Sequence, residues 1–148
     1  YDVVENKHKN HILDQTIAPA PNISKEVSQS AKTIATQIVS ALNLEGLLAI
    51  ELFELNNGEL LVNEIAPRPH NSGHWTMDGC VTDQFEQAVR AALGIELGST
   101  ERVFNINMQN LIGDDISLIE RLKREGKNWI APNASIIGDI IIKNEGQI

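Results

Sequence analysis

Residues 47–66, LLAIELFELNNGELLVNEIA, constrain the fold more than any other stretch. Two extended runs flank Asn57-Gly58, a dipeptide that suits a two-residue type I′ hairpin loop because both of its positions need φ > 0. With that loop, Asn56 faces Glu59, Leu55 faces Leu60, Phe53 faces Val62, and Glu51 lies directly opposite Glu64. Cross-strand partners sit about 4.5–5.5 Å apart at Cβ, where like charges repel. The acidic pair is therefore either solvated on an outer face or neutralised by a cation. Mg²⁺ fits the second reading, since it takes hard oxygen ligands and is typically held by one or two carboxylates plus substrate phosphates. A one-residue slip would send the two glutamates to opposite faces. Glu51, Phe53 and Leu55 share a face with Leu60, Val62 and Glu64, and Ile50 and Leu52 share the other with Asn63 and Ile65. Both faces are mostly apolar, which predicts a sheet covered on each side, with Asn63 a polar exception in need of partners.

The segment that follows, APRPHNSGH at 66–74, gathers Arg68, His70, Asn71, Ser72 and His74 into nine positions. Pro67 and Pro69 fix φ and bar a helix or a central strand. So polar and so stiff a segment does not fill a core; it reads as the wall of a polar, anion-accepting site.

These strings carry a resemblance. NEIAPRPHNSGHWT, preceded by GLLAIELF, closely resembles the ATP-grasp 5-(carboxyamino)imidazole ribonucleotide synthases of purine biosynthesis. The similarity runs upstream through VVENKHKNHILDQTIAPAP and downstream through DQFEQAVRAALGIELG to about Leu111. Asn71, Ser72, His74 and Trp75 side with that family against the related formate-dependent glycinamide ribonucleotide transformylases. The fold the resemblance implies is α+β, the C-terminal part of an ATP-grasp domain with a mostly antiparallel sheet and packed helices, followed by a partial β-rich segment. Residues 1–98 would be the C-terminal half of the ATP-grasp domain and 99–148 the start of a C-terminal domain with an atypical tail.

The resemblance also implies an activity: ATP-dependent carboxylation of aminoimidazole ribonucleotide with bicarbonate, through carboxyphosphate. Its cofactors would be ATP and Mg²⁺, with Mn²⁺ as a substitute. Glu51 and Glu64 would hold the metal, and His8, Asn63 and Glu64 would contact the nucleotide. Arg68, whose planar fork suits bicarbonate, carboxyphosphate or a ribonucleotide phosphate, and His70, able to donate a hydrogen bond or shuttle a proton, would serve the carboxylation end, with Asn71 orienting. His74 and Trp75 are either structural or at a subunit contact. The intact protein would be a cytoplasmic homodimer. The family's glycine-rich phosphate-covering loop and adenine-binding lysine segment are not in this sequence, which begins at Tyr1 inside a strand-like pattern. The chain thus reads as a fragment that does not turn over alone. Two other readings stay open: another ATP-grasp ligase or carboxylase with a different acceptor, and a non-catalytic acidic metal-binding or oligomerisation module.

Composition narrows the classes. A chain of 148 residues with 42% hydrophobic and 22% charged residues matches ordinary globular proteins. A net charge of −8 argues against a nucleic-acid face, which needs a basic stripe. One cysteine, Cys80, leaves no internal disulfide. No apolar run approaches the ~20 residues of a membrane span.

Elsewhere, Tyr1–Glu5 and Leu13–Ala18 read as short extended segments joined by a polar loop over 6–10 that contains His8. A helix is expected over 24–42, with Ser24 as N-cap and Val27, Ala31, Ile34, Ala35, Ile38, Val39 and Leu42 as its apolar stripe. Thr82 is expected to cap a helix over 83–93 that Gly94 stops. A strand is expected over 102–111 and a short helix from Asp114 or Asp115 to near Gly126. In the tail, Ile136, Ile142 and Ile148 recur every six residues, as at the start of a left-handed β-helix, but such a unit needs about three turns and fewer are present, so a couple of ordinary strands is the favoured reading.

Overall fold

A computed structural model describes residues 1–118, 129–130 and 139–143. The chain starts with a hairpin whose second strand falls where the extended segment Leu13–Ala18 is expected and whose first strand occupies most of the expected loop. Strands β1 (Glu5–Lys9) and β2 (Ile12–Ala18) pair antiparallel around Asn10 and His11. Their φ angles of 52° and 64° make the type I′ loop that twists with the strands. Neither turn residue is glycine, so the turn signal is weak. In β2, Leu13, Thr16 and Ala18 turn inward; the inward parity changes between Leu13 and Thr16, where pairing passes from His8–Leu13 to Lys7–Gln15 and leaves Asp14 without a partner.

Helix α1 (Lys25–Leu42) begins where expected. The Ser24 hydroxyl accepts from the Val27 amide at 3.1 Å, and Glu26 lies in the first turn, where a carboxylate opposes the positive end of the helix dipole. Asn43, left-handed at φ 46°, closes the helix. Along the apolar stripe only Ala31 is fully buried, while Leu42 is 58% exposed.

Strands β3 (Ala49–Glu54) and β4 (Leu60–Ala66) form a separate two-stranded sheet. The loop is three residues long, not two. The Gly58 amide donates to the Leu55 carbonyl and the Leu55 amide to the Glu59 carbonyl, both at 2.8 Å, and Gly58 takes φ 81°. Such a turn with a left-handed third residue is the next most common hairpin closure. It shifts the expected pairing by one, so that Phe53 meets Leu61 in place of Val62. Nor is the hairpin covered on both faces: among the described residues Phe53, Leu61, Val62 and Ile65 are 42–58% exposed.

After one α-helical turn, α2 (Thr76–Gly79), helix α3 (Gln84–Ala92) starts one residue later than predicted. Asp83, not Thr82, is its N-cap, accepting from the Phe85 and Glu86 amides at 2.7 and 2.9 Å. Gly94 at φ 65° ends it, with the Ile95 amide reaching back to the Arg90 carbonyl at 3.1 Å, the bonding of a Schellman motif.

Strand β5 (Ile106–Leu111) occupies the second half of the predicted 102–111 strand and lies against β2. Ile106, Met108 and Asn110 point inward. The buried Asn110 amide is satisfied by the Leu13 carbonyl at 2.8 Å. The sheet is completed by β6 (Trp129–Ile130) and β7 (Asp139–Lys143) in the order β1-β2-β5-β7-β6. Its strands come from both sides of residue 98. β7 runs antiparallel to both β5 and β6, which a β-helix coil of parallel strands does not allow. The tail strands at Ile142 are therefore ordinary; Ile136, Ile148 and the expected helix beyond Leu118 lie outside the described residues. Trp75 and Met108, at 2% and 0% exposure, centre a core shared with Leu13, Ala18, Cys80 and Ile106.

Candidate active site

The hairpin aims its polar groups through an irregularity. Pairing is regular from Glu54 and Leu60 to Leu52 and Val62, then resumes at Glu51 and Glu64, leaving Asn63 without a partner. A bulge of this kind bends the strand and redirects a side chain. Asn63 consequently leaves the face of Ile50 and Leu52 to which alternation assigned it, and its Nδ2 donates to Glu51 Oε2 at 3.3 Å. The bulge also restores the residue that the longer loop removed, so Glu51 and Glu64 end opposite each other as expected.

His70 arrives from the proline segment between these carboxylates. Its Nδ1 lies 3.9 Å from Glu51 Oε1 and its Nε2 lies 3.6 Å from Glu64 Oε1. The Ser72 amide donates to Nδ1 at 3.4 Å, and the Ser72 hydroxyl is 2.9 Å away. The Ser72 N–H points at Nδ1, which accepts it in the tautomer that carries its proton on Nε2, toward Glu64. Glu51 and His70 are nearly enclosed, with side chains 13% and 11% exposed, while Glu64 is 48% exposed.

A cavity of about 760 Å³ adjoins this group, with His8, Glu51, Asn63, His70, Ser72 and Gln84 among its walls. Four of the residues singled out from the sequence (His8, Glu51, Asn63 and His70) are thus brought together, although His8 stands on β1 and not in a loop. Glu64, Arg68 and Asn71 are not on that wall. Arg68 is 60% exposed, lies 3.9 Å from Glu64 and donates to the Pro69 carbonyl at 3.0 Å. Asn71 is exposed and starts the short turn Asn71–Gly73, its carbonyl accepting from the His74 amide.

The neighbouring aromatic residues differ in role. Trp75 is core, set edge-on to Tyr1 at 6.4 Å. His74 stacks on Phe85 at 5.6 Å with its Nδ1 buried and unpartnered. Burial, and then the neighbouring His70, lowers the pKa of His74 below the ordinary histidine value. Burial, and then Asp83, raises the pKa of the Asp78 carboxyl.

No group of three or more His, Cys, Asp or Glu side chains arranged to hold a metal occurs among the described residues. Two facing carboxylates nonetheless suit a cation that keeps its waters and shares phosphate oxygens. The sequence reading missed Ser72 as the group orienting His70, and it missed Gln84 and Thr76 behind the loop. No spacing signal points to Gln84, whose partner lies 14 positions away.

Residues 1–85 match the family model of the ATP-grasp domain. The chain belongs to the ATP-grasp family. Within that family it is 47% identical over 133 residues to the N5-carboxyaminoimidazole ribonucleotide synthase of Bacillus subtilis (strain 168), covering 88% of this chain and 35% of that protein. The crystal structure of an N5-carboxyaminoimidazole ribonucleotide synthetase in complex with ADP superposes with a TM-score of 0.90 at 35% identity, over 100% of this chain and 41% of that one. A synthase from Aspergillus clavatus, solved with ADP and 5-aminoimidazole ribonucleotide, gives 0.85 at 28% identity, over 98% and 42%. The chain spans about a third of the length of the curated relatives it matches. The fold is α+β, as the resemblance implied. No helix among the described residues is long and apolar enough to cross a membrane.

Proposed function

We propose that this chain is part of an enzyme that carboxylates 5-aminoimidazole ribonucleotide with bicarbonate at the expense of ATP, giving N5-carboxyaminoimidazole ribonucleotide in purine synthesis. The observation that carries the reading is the His70 imidazole held between Glu51 and Glu64 at the edge of a polar cavity, in a chain whose relatives bear that name. In the proposed reaction a bicarbonate oxygen attacks the γ-phosphorus of ATP and ADP departs. The amine of the ribonucleotide then attacks the carboxyl carbon of carboxyphosphate, expelling phosphate and one proton. Both steps depend on alignment and charge neutralisation more than on covalent help from the protein.

Glu51 and Glu64 would hold Mg²⁺ or Mn²⁺, which when bound supplies positive charge at the phosphate oxygens. Asn63 fixes Glu51 through its 3.3 Å hydrogen bond and, with His8, faces the nucleotide. His70 offers a donor at Nε2 and an acceptor at Nδ1, the two capacities that shuttling the amine proton requires. Arg68, exposed beside Glu64, is free to turn its fork onto bicarbonate or a phosphate, and Asn71 orients the acceptor. Residues 1–98 carry these groups, and the strands beyond residue 98 extend the sheet that β1 and β2 begin. The enzyme acts as a cytoplasmic homodimer; the exposed row Phe85, Val89 and Leu93 on one side of α3 is a surface suited to a subunit contact. A chain that spans about a third of its relatives' length does not turn over by itself.

ADP release by the full-length protein tests this reading. It should require Mg²⁺, bicarbonate and aminoimidazole ribonucleotide together. Release that ignores the ribonucleotide would leave an ATP-grasp ligase with another acceptor.

A further inference from the structure

The loop that carries His70 is gripped from behind by the first residue of α3. Gln84, only 3% exposed, pairs with the main chain of His70 through both ends of its carboxamide. The His70 amide donates to Gln84 Oε1 at 2.9 Å, and Gln84 Nε2 donates to the His70 carbonyl at 2.9 Å. The side chain thus acts as a one-residue strand partner. The far end of the loop hangs from the same helix start: the Gln84 amide donates to Thr76 Oγ1 at 3.0 Å, and that hydroxyl donates to the Gly73 carbonyl at 2.7 Å. There is no slack in the joint. A Cβ at Gly73 would fall on the Gln84 carboxamide.

One helical turn on, Gln87 makes a like joint away from the site. Its Nε2 donates to the Gly98 carbonyl at 2.6 Å, and the Gly98 amide donates to its Oε1 at 2.9 Å. Gln87 is 7% exposed. The helix therefore holds two buried carboxamides in similar surroundings, one on the histidine loop and one on a loop without proposed chemistry.

We infer that Gln84 is a positioning residue, which sets the His70 imidazole between Glu51 and Glu64 by fixing the backbone on both sides of its Cα. The inference rests on the proposed catalytic part of His70. A side chain within 4 Å of two carboxylates loses its alignment when its backbone drifts by a fraction of an ångström, and misplacement of about 1 Å can cost roughly 10²-fold in rate. Loss of either glutamine also strands two backbone groups, so both losses reduce stability. Rate distinguishes them.

The test uses the full-length protein with Gln84→Met, Gln87→Met, His70→Ala and the Gln84→Met/His70→Ala double variant, each with its melting temperature. Gln84→Met should lower kcat about 10–100-fold with KM for ATP within about twofold, and Gln87→Met should lower the melting temperature by a similar amount with kcat intact. In the His70→Ala background, Gln84→Met should add less than about threefold, because residues acting through one group are not additive. Gly73→Ala attacks the joint from the loop side and should repeat the kcat loss if Gln84→Met fails to fold. Equal kcat values for the two glutamine variants, or rate losses that multiply in the double variant, would overturn the positioning role while leaving His70 in place. Wild-type turnover by His70→Ala would overturn the catalytic histidine itself, and the positioning role with it.

Discussion

Glu51 and Glu64 face each other across the β3–β4 hairpin because two departures from regular pairing cancel. The three-residue loop ending at Gly58 offsets the strands by one, and the bulge at Asn63 returns that residue before the glutamates are reached. Without the bulge the offset would carry through, and the residue facing Glu51 would be Asn63. The bulge also brings the Asn63 amide to Glu51, so one irregularity both aligns and tethers the acidic pair.

Replacing either glutamate with glutamine should separate function from stability. Glu51→Gln or Glu64→Gln removes one of two like charges at paired positions, so the melting temperature should hold or rise slightly. Turnover should fall at least about 10²-fold, and thermal protection by Mg²⁺ plus ATP should disappear. Retained protection with normal turnover would remove these residues from the metal site.

Arg68 should behave as a group that touches ligands and not as a structural one. Its ion pair with Glu64 spans 3.9 Å on an exposed surface, where such pairs contribute about 0–1 kcal/mol. Arg68→Ala should leave the denaturation midpoint almost unchanged and reduce kcat/KM by about tenfold or more. Arg68→Lys should restore little of it, because an ammonium lacks the planar fork. Full recovery with lysine would reduce the role to charge alone.

The acid side of the stability profile should bear the mark of His74. Burial lowers its folded pKa below the ordinary 6.5, so beneath that pH the unfolded chain binds a proton that the folded chain refuses. The stability contribution is complete above pH 6.5 and is lost as pH falls below it toward the folded value. His74→Gln should flatten the denaturation midpoint between about pH 6.5 and 5 relative to the parent. An unchanged slope would show that another group governs this range.

Cys80 should be a slow thiol. It is buried, and burial pushes its pKa up to about 11, so little thiolate forms at neutral pH. Alkylation by iodoacetamide at pH 8 should be at least about 10²-fold faster in denaturant than in the native protein. Similar rates in both would mean that this end of the core opens readily.

What the sequence disclosed and what it hid follow from the range of the interactions. The facing glutamates were legible because a strand repeats every two residues and a short loop ties the two arms together. The loop type was misjudged because Asn-Gly also suits a three-residue closure with glycine left-handed. The β1–β2 hairpin escaped notice because Asn10 and His11 turn without glycine. Helix starts were legible to within a residue, since Ser24 and Asp83 both bond to amides a few positions on. Gln84 was invisible for the opposite reason: its two partners belong to one residue in another segment, and a glutamine opening a helix looks like any solvated residue. In the tail a six-residue isoleucine spacing fits both a β-helix and ordinary antiparallel strands; fewer than three repeats favour the strands, and the antiparallel pairing of β7 with β5 agrees for the described residues.

The central claim is that bicarbonate is activated by ATP and then passed to an amine at the Glu51–His70–Glu64 site. Full-length protein given ¹⁸O-labelled bicarbonate, ATP and aminoimidazole ribonucleotide should release inorganic phosphate carrying one ¹⁸O, because the oxygen that attacks phosphorus stays with it when the amine displaces phosphate. His70→Ala should slow the appearance of that label about 10²-fold or more. Unlabelled phosphate accompanying steady ADP release would contradict the account, since ATP would then be cleaved without passing through carboxyphosphate.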